Sequence, residues 1–177
     1  MLMYSNRIIT IMNEGVAPKN KVNGNLGTQI LGVTSFFVTL ASLYTINRFK
    51  RKDLMIAQAI GLILCLNGAG VATMMKNSIG TLVFIIGHNY VVNLTAVFWI
   101  YMPEVLNDNQ LGVAATVFYI NGILLSAITE YLISLFGVDG VFYIFEISQI
   151  LALFFIQMRI KDTTGLTDHQ KKQLYYP

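Results

Sequence analysis

Polar positions along this chain come in short bursts separated by long oily runs. No Lys, Arg, Asp or Glu occurs from Val22 to Asn47, from Leu54 to Met75, from Asn77 to Pro103 or from Asn109 to Thr129. A further run, Gly140 to Met158, carries a single charge, Glu146. A helix needs about 20 apolar residues to cross a hydrocarbon core of about 30 Å, and each run is long enough. The pattern predicts an all-α fold: a polytopic membrane helix bundle with five spanning helices, at about 26–46, 54–75, 79–102, 111–135 and 138–159. One soluble core would not hide five such helices, and no amphipathic outer helices remain to cover it.

The punctuation sets the organisation. Residues 1–12 are an apolar stub too short to span, and 13–25, NEGVAPKNKVNGN, is a loop rich in turn formers. The bundle occupies 26–160, and the polar tail 161–177 is expected to lie in water. The other links are short: 47–53, 76–78, 103–110 and the residues around Gly137. Short links make successive helices antiparallel neighbours.

Composition sharpens this picture. The chain is 55% hydrophobic and 12% charged, about half the charged share of a soluble domain. The formal charge of +3 comes with no basic face interleaved with aromatics, which excludes nucleic acid as a partner. The one cysteine, Cys65, lies inside an apolar run with no metal-ligand companions. No Ser-His-Asp set, paired carboxylates or metal-spaced cluster appears, so neither an enzyme nor a cofactor or metal site is expected. His169, beside Asp168 in the tail, reads as a surface residue.

Charge also sets direction. If the helices alternate, the 47–53 link, the 103–110 link and the tail share one side. That side carries Arg48, Lys50, Arg51, Lys52, Arg159, Lys161, Lys171 and Lys172, against Lys19, Lys21 and Lys76 on the other, with Arg7 near it. Lys and Arg accumulate in cytoplasmic loops, so the C-terminus is expected in the cytoplasm.

The basic link has a pattern as well as a charge. Asn47-Arg48-Phe49-Lys50-Arg51-Lys52 resembles the Asp/Glu-Arg-x-Gly-Arg-Arg loop between helices eight and nine of the sugar porters of the major facilitator superfamily. Trp99-Ile100-Tyr101-Met102-Pro103-Glu104-Val105 is similar to that family's helix-ten ending, Trp-x-Tyr-x-x-Glu-Ile. Lys161-Asp162-Thr163-Thr164-Gly165-Leu166-Thr167 is similar to the closing Pro-Glu-Thr-Lys-Gly-x-Thr, and Tyr4-Ser5 with Ile8-Ile9 resembles the end of helix seven. The four elements are in order and together cover essentially the whole chain. The resemblance implies the C-terminal half of a twelve-helix transporter, with 1–12 as the remnant of helix seven and the five spans as helices eight to twelve.

Polar groups are expensive in a bilayer and face protein or a wet cavity. They concentrate in the third span. His88, Val92, Thr95 and Trp99 follow one helical stripe, with Asn89, Asn93 and Ala96 beside it. Amides and imidazole exchange hydrogen bonds with hydroxyls, and an indole packs on a sugar's C–H surface while its N–H donates. The resemblance assigns the cavity-lining role to Trp99. His88 and Asn93 suit either a sugar-like ligand or interhelical bonding, and Asn89 is assigned to the latter. Asn121 lies one position from a family helix-eleven amide. Asn67-Gly68-Ala69-Gly70 reads as a close-packing stretch, and Glu130 and Glu146 as groups that snorkel to water or bond a neighbour.

Departures from the family qualify the picture. Ala96 stands where sugar porters carry a helix-ten proline, with Thr95 before it, which predicts a straighter helix. Asn47 replaces the acid of the basic loop, and Leu111 replaces an arginine. Glu104 is left to pair with Arg48 or Arg51 as a thinner cytoplasmic latch, whose alternative is that the basic link merely orients the chain. Helices one to six lie outside this sequence, and one half offers only one wall of a cavity. The expected function is the C-terminal half of a facilitative hexose carrier, inactive until paired with a complementary N-terminal half or with a second copy of itself. The alternatives are an accessory protein bound to another membrane protein, or a truncated gene product.

Overall fold

The computed structural model describes residues 10–11 and 24–175. The helix-seven remnant expected around Tyr4, Ser5, Ile8 and Ile9, and nearly all of the 13–25 loop, lie outside the described residues. The chain forms α1 (Gly24–Arg48), α2 (Arg51–Met74), α3 (Ser78–Asn93), α4 (Ala96–Val105), α5 (Asp108–Arg159) and α6 (Asp168–Gln173). Four helical stretches are long and apolar enough to cross a membrane: Gln29–Ile46, Arg51–Met74, Ser78–Val105 and Asp108–Arg159.

The last of these has 52 residues, which at 1.5 Å per residue is about 78 Å of helix, far more than a bilayer core of about 30 Å. Gly137 divides it. Its φ of 73° and ψ of 174° fall in a region that is essentially glycine-only. A first arm, 108–136, and a second arm, 138–159, therefore stand as separate spanning units on either side of that glycine. They correspond to the fourth and fifth predicted runs.

The links are tied by local chemistry. Asn77 caps α3, its side-chain oxygen accepting from the Gly80 amide at 3.0 Å, and Lys76 turns the chain with a positive φ of 53°. The Gln110 side chain accepts from the Asn107 amide at 3.1 Å where α5 begins. Such caps satisfy the orphaned N–H groups of a helix start.

Packing centres on α2, which lies antiparallel to the second arm of α5. Tyr143 donates to Met74 Sδ at 3.5 Å, the Asn67 amide reaches Glu146 at 3.2 and 3.3 Å, and Lys52 Nζ donates to the Gln157 carbonyl at 3.1 Å. Close approach requires the glycines of the 67–70 stretch. A Cβ on Gly68 would run into the Phe84 ring, and one on Gly70 would sit 3.0 Å from Tyr143. Two apolar clusters result. One, beside the Gly137 turn, joins Leu31, Leu66, Ala69, Ile85, Ile133, Val138, Val141 and Phe142. The other, at the basic end, joins Ile46, Leu54, Met55, Val97, Tyr101 and Val105.

Two expectations are corrected. The third span is not a straighter helix for lack of proline: it is interrupted at Leu94–Thr95, between α3 and α4. There the amides of Leu94, Thr95, Val97 and Phe98 each bond the carbonyl three residues back, at 2.8–3.1 Å, which is a tight 3₁₀ turn. Two short polar side chains flank this turn. The Asn93 amide takes the Asn89 carbonyl at 2.7 Å, and Thr95 Oγ1 is held by Gln58 at 2.5 Å. Nor does the tail simply lie in water. Thr163 is 0% exposed, and 161–175 folds back on α4 because Glu104 and Tyr101 offer it partners.

Candidate functional site

Two groups of side chains lie on the third span, one around the Leu94–Thr95 turn and one at its basic end. The mid-span group divides between α1 and the first arm of α5. Asn89 is buried and donates to the Leu31 carbonyl at 3.4 Å and to Ser35 Oγ. Asn93 accepts from Thr39 Oγ1 at 2.9 Å through its side-chain oxygen. Both amides thus bind α3 to α1, and Thr95 turns away to Gln58 on α2. The predicted stripe is split accordingly: Thr95 faces α2 while Trp99 faces the first arm of α5.

Trp99 is half-buried, its ring 5.0 Å from that of Phe118 at an interplanar angle of 78° and 6.3 Å from that of Tyr119 at 34°. Edge-to-face contact of this kind holds an indole in one orientation. Among the described residues its N–H has no hydrogen-bond partner, and neither does the half-buried imidazole of His88. Asn121 is exposed and donates to the Val117 carbonyl one turn back at 2.9 Å, and its oxygen has no partner among the described residues. Asn121 follows Phe118 by three residues, so it shares the face of the first arm that meets Trp99. Phe118 and Tyr119 were not singled out from the sequence. Their signal was weak, because two aromatics in an apolar run look like any lipid-facing pair.

The second group closes the basic end. Glu104 is the hub. Arg51 Nη2 lies 2.9 Å and Lys171 Nζ 3.2 Å from Glu104 Oε1, and Thr163 Oγ1 donates to Oε2 at 2.6 Å. Arg48, the other predicted partner, is instead exposed with its guanidinium 5.3 Å from the centre of the Tyr44 ring. The Asn47 side chain lies outside the described residues. Beside Glu104, the Tyr101 hydroxyl donates to the Lys161 carbonyl at 2.9 Å and lies 2.7 Å from the Tyr175 hydroxyl. Tyr175 accepts from the Lys161 amide at 2.8 Å and donates to the Arg159 carbonyl at 3.1 Å. The backbone amide of Arg51 donates to Thr164 Oγ1 at 3.2 Å. Thr163, Lys171, Tyr101 and Tyr175 are additions the sequence reading missed. A threonine one place past an aspartate and a tyrosine next to the chain end give no periodic signal.

Four helical stretches of spanning length, joined by polar contacts between them, define the class: a multi-pass helical membrane protein. A family model, "Sugar (and other) transporter", matches residues 4–175. The chain belongs to that family. It is 27% identical over 171 residues to the facilitated trehalose transporter Tret1 of Drosophila yakuba, covering 86% of this chain and 20% of the relative. It is 24% identical over 151 residues to the probable metabolite transport protein CsbC of Bacillus subtilis (strain 168), covering 79% of this chain and 33% of the relative. A facilitated trehalose transporter Tret1-2 homolog of Drosophila sechellia is 26% identical over 161 residues, covering 81% and 32%. The chain therefore spans about a fifth to a third of the length of these relatives.

Proposed function

We propose that this chain supplies the C-terminal half of a facilitative sugar carrier. It moves a hexose-like or trehalose-like substrate only together with a complementary N-terminal half, whether on one longer polypeptide or as a separate chain. Two halves rocking around a midplane site are the general device of such carriers. The observation that carries the reading is the oriented Trp99 indole, on a face shared with Asn121 and on the same span as His88, with neither the indole N–H nor the imidazole partnered among the described residues. An indole face suits sugar C–H groups, and the free donors and acceptors suit hydroxyls. Asn93 contributes less to the ligand than to the α1 interface, because both ends of its amide are engaged. The basic end faces the cytoplasm, following the Lys and Arg distribution, and the Arg51–Glu104 pair acts there as a latch between α2 and α4.

The partner half has a surface to meet. Phe36, Phe37 and Leu40 of α1 and Tyr119, Ile123 and Leu124 of the first α5 arm are all more than half exposed. The test is uptake of labelled glucose and labelled trehalose into proteoliposomes. Saturable uptake is expected when the chain is co-assembled with an N-terminal half, and Trp99→Ala should abolish it. Saturable uptake by the polypeptide alone as a monomer would overturn the reading. A second reading, a non-transporting accessory protein on the same scaffold, is favoured by the engagement of Asn89 and Asn93 in helix contacts. It predicts stable complexes with another membrane protein and no saturable sugar binding.

A further inference from the structure

Behind the sugar-facing side, the bundle holds a cavity of about 150 Å³ between α2, the Leu94–Thr95 turn and the second arm of α5. Met55, Gln58, Ala59, Thr95, Phe98 and Gln149 line it. It shares Gln58 and Thr95 with the mid-span group but holds neither Trp99, His88 nor Asn121. Trp99 points to the first arm of α5, whereas this cavity opens beside the second arm. None of its lining residues is ionisable, and all come from membrane-spanning segments.

Two amides distinguish it from a gap between oily helices. Gln58 already donates to Thr95 Oγ1, which leaves its carbonyl oxygen to accept. Gln149 is half-buried, lines the cavity, and its amide has no partner among the described residues. A polar group kept from water without a partner costs free energy that a ligand's hydroxyl or carbonyl would return. The remaining walls, which include Leu62 and Ile156 beside Met55, Ala59 and Phe98, are apolar, with methionine the most conformable of side chains. A charged or strongly hydrated molecule would lose its hydration here with nothing to replace it.

We propose that this cavity is a binding site for a small neutral amphiphile, an apolar body bearing one hydroxyl or carbonyl, which enters from the bilayer and hydrogen-bonds Gln149 and Gln58. The site abuts the 3₁₀ turn that separates α3 from α4. Its occupant therefore contacts Thr95 and Phe98 where the third span is interrupted, and it does so independently of any sugar on the Trp99 face.

The probe is an octanol carrying a photoreactive diazirine, applied to the full chain in lipid bilayers, with adducts located by peptide mass spectrometry. The matching octane diazirine serves as the control for simple partitioning into oily crevices. Saturable adducts on the peptides holding Met55, Phe98 and Gln149 are expected with the alcohol and not with the alkane, and excess unlabelled octanol should suppress them. Gln149→Leu, which keeps the volume and removes the amide, should lower the alcohol adduct roughly fivefold, as loss of one hydrogen bond implies. Ala59→Phe should fill the space and remove the adduct. Equal labelling by alcohol and alkane, or alcohol labelling indifferent to both substitutions, would overturn the proposal. A shared thermal transition with the unmodified chain confirms that Gln149→Leu remains folded, so the outcome is read from a native bundle.

Discussion

The two ends of the third span treat their polar groups in opposite ways. At the basic end, Glu104 engages Arg51, Lys171 and Thr163 at once, while Tyr101, Tyr175 and Lys161 close a ring beside it. At mid-span, the indole of Trp99 and the imidazole of His88 have no hydrogen-bond partner among the described residues, and Asn121 bonds only its own helix. A carboxylate held by three partners fixes a shape, although Arg51 Nε beside it is buried without a partner among the described residues. Polar groups without protein partners fix none. Substitutions at the basic end should therefore cost stability, and those at mid-span should cost transport while leaving the fold intact.

The largest effect is expected from Glu104→Ala. It would leave Arg51 and Lys171 facing each other without the carboxylate and strip Thr163 of its acceptor. Removal of one partner from a fully buried pair costs about 3–5 kcal/mol. Here the side chains of Glu104, Arg51 and Lys171 are 13, 24 and 14% exposed, so solvent screens part of the interaction. A loss of roughly 2–3 kcal/mol is expected in thermal unfolding of the detergent-solubilised chain. The tail should come loose at the same time, with faster tryptic cleavage after Lys171 and Lys172. Glu104→Gln keeps an acceptor for Thr163 and should recover part of both. An undisturbed tail in Glu104→Ala would mean that the Tyr101–Tyr175 contact alone holds it.

Next comes Gly137→Ala. The positive φ of 73° disfavours any side chain, and a Cβ would lie 2.9 Å from Asp139 Oδ1. Forcing a residue into such a conformation costs about 1–3 kcal/mol. The measurement is again thermal unfolding. This substitution touches neither end of the third span, so it calibrates how much of the bundle's stability rests on the hairpin of α5 rather than on the Glu104 cluster. A loss larger than that of Glu104→Ala would reverse the ranking of the two.

How much of this was legible in the sequence divides along physical lines. Runs with at most one charge mark spanning helices because the bilayer core penalises charge, so α1, α2, the third span and both arms of α5 emerge close to their observed bounds. The pairing of Arg51 with Glu104 was visible as one of two options, since both belong to recognisable motifs. Which arginine wins was not, because that depends on rotation about α1 and α2: Arg48 is carried out onto Tyr44. The interruption at Leu94–Thr95 was hidden because no proline marks it in the sequence. The backbone there yields instead to Asn93 and Thr95, whose side chains compete for partners inside the span. The docking of the tail was equally hidden. Polar composition says that a segment tolerates water, not that it avoids protein, and Thr163 finds in Glu104 a better acceptor than solvent.

A smaller stability effect is expected from Trp99→Ala. The edge contact with Phe118 and the tilted contact with Tyr119 are aromatic interactions, each worth about 0.5–1.5 kcal/mol beyond area burial. A modest drop in unfolding temperature should accompany complete loss of saturable uptake in the co-assembled carrier. Trp99→Phe separates the two, since it restores ring packing without the N–H donor. Full rescue of stability with only partial rescue of uptake would locate the indole's contribution in its donor.

The smallest change, and the sharpest test of the contrast between the two ends, is Asn121→Ala. Its side chain is exposed and its one hydrogen bond runs to Val117 of the same helix, so no interhelical contact is lost. Exposed substitutions of this kind usually move stability by less than about 0.5 kcal/mol. If the Asn121 oxygen meets a substrate hydroxyl beside Trp99, the loss appears instead as a KM for uptake raised roughly fivefold, with the maximal rate held, because one hydrogen bond of uniform binding has gone. If this face of the first arm meets lipid, KM stays where it was. A large stability loss would contradict the structure itself, since it would require Asn121 to hold a partner across the bundle that the geometry does not give it.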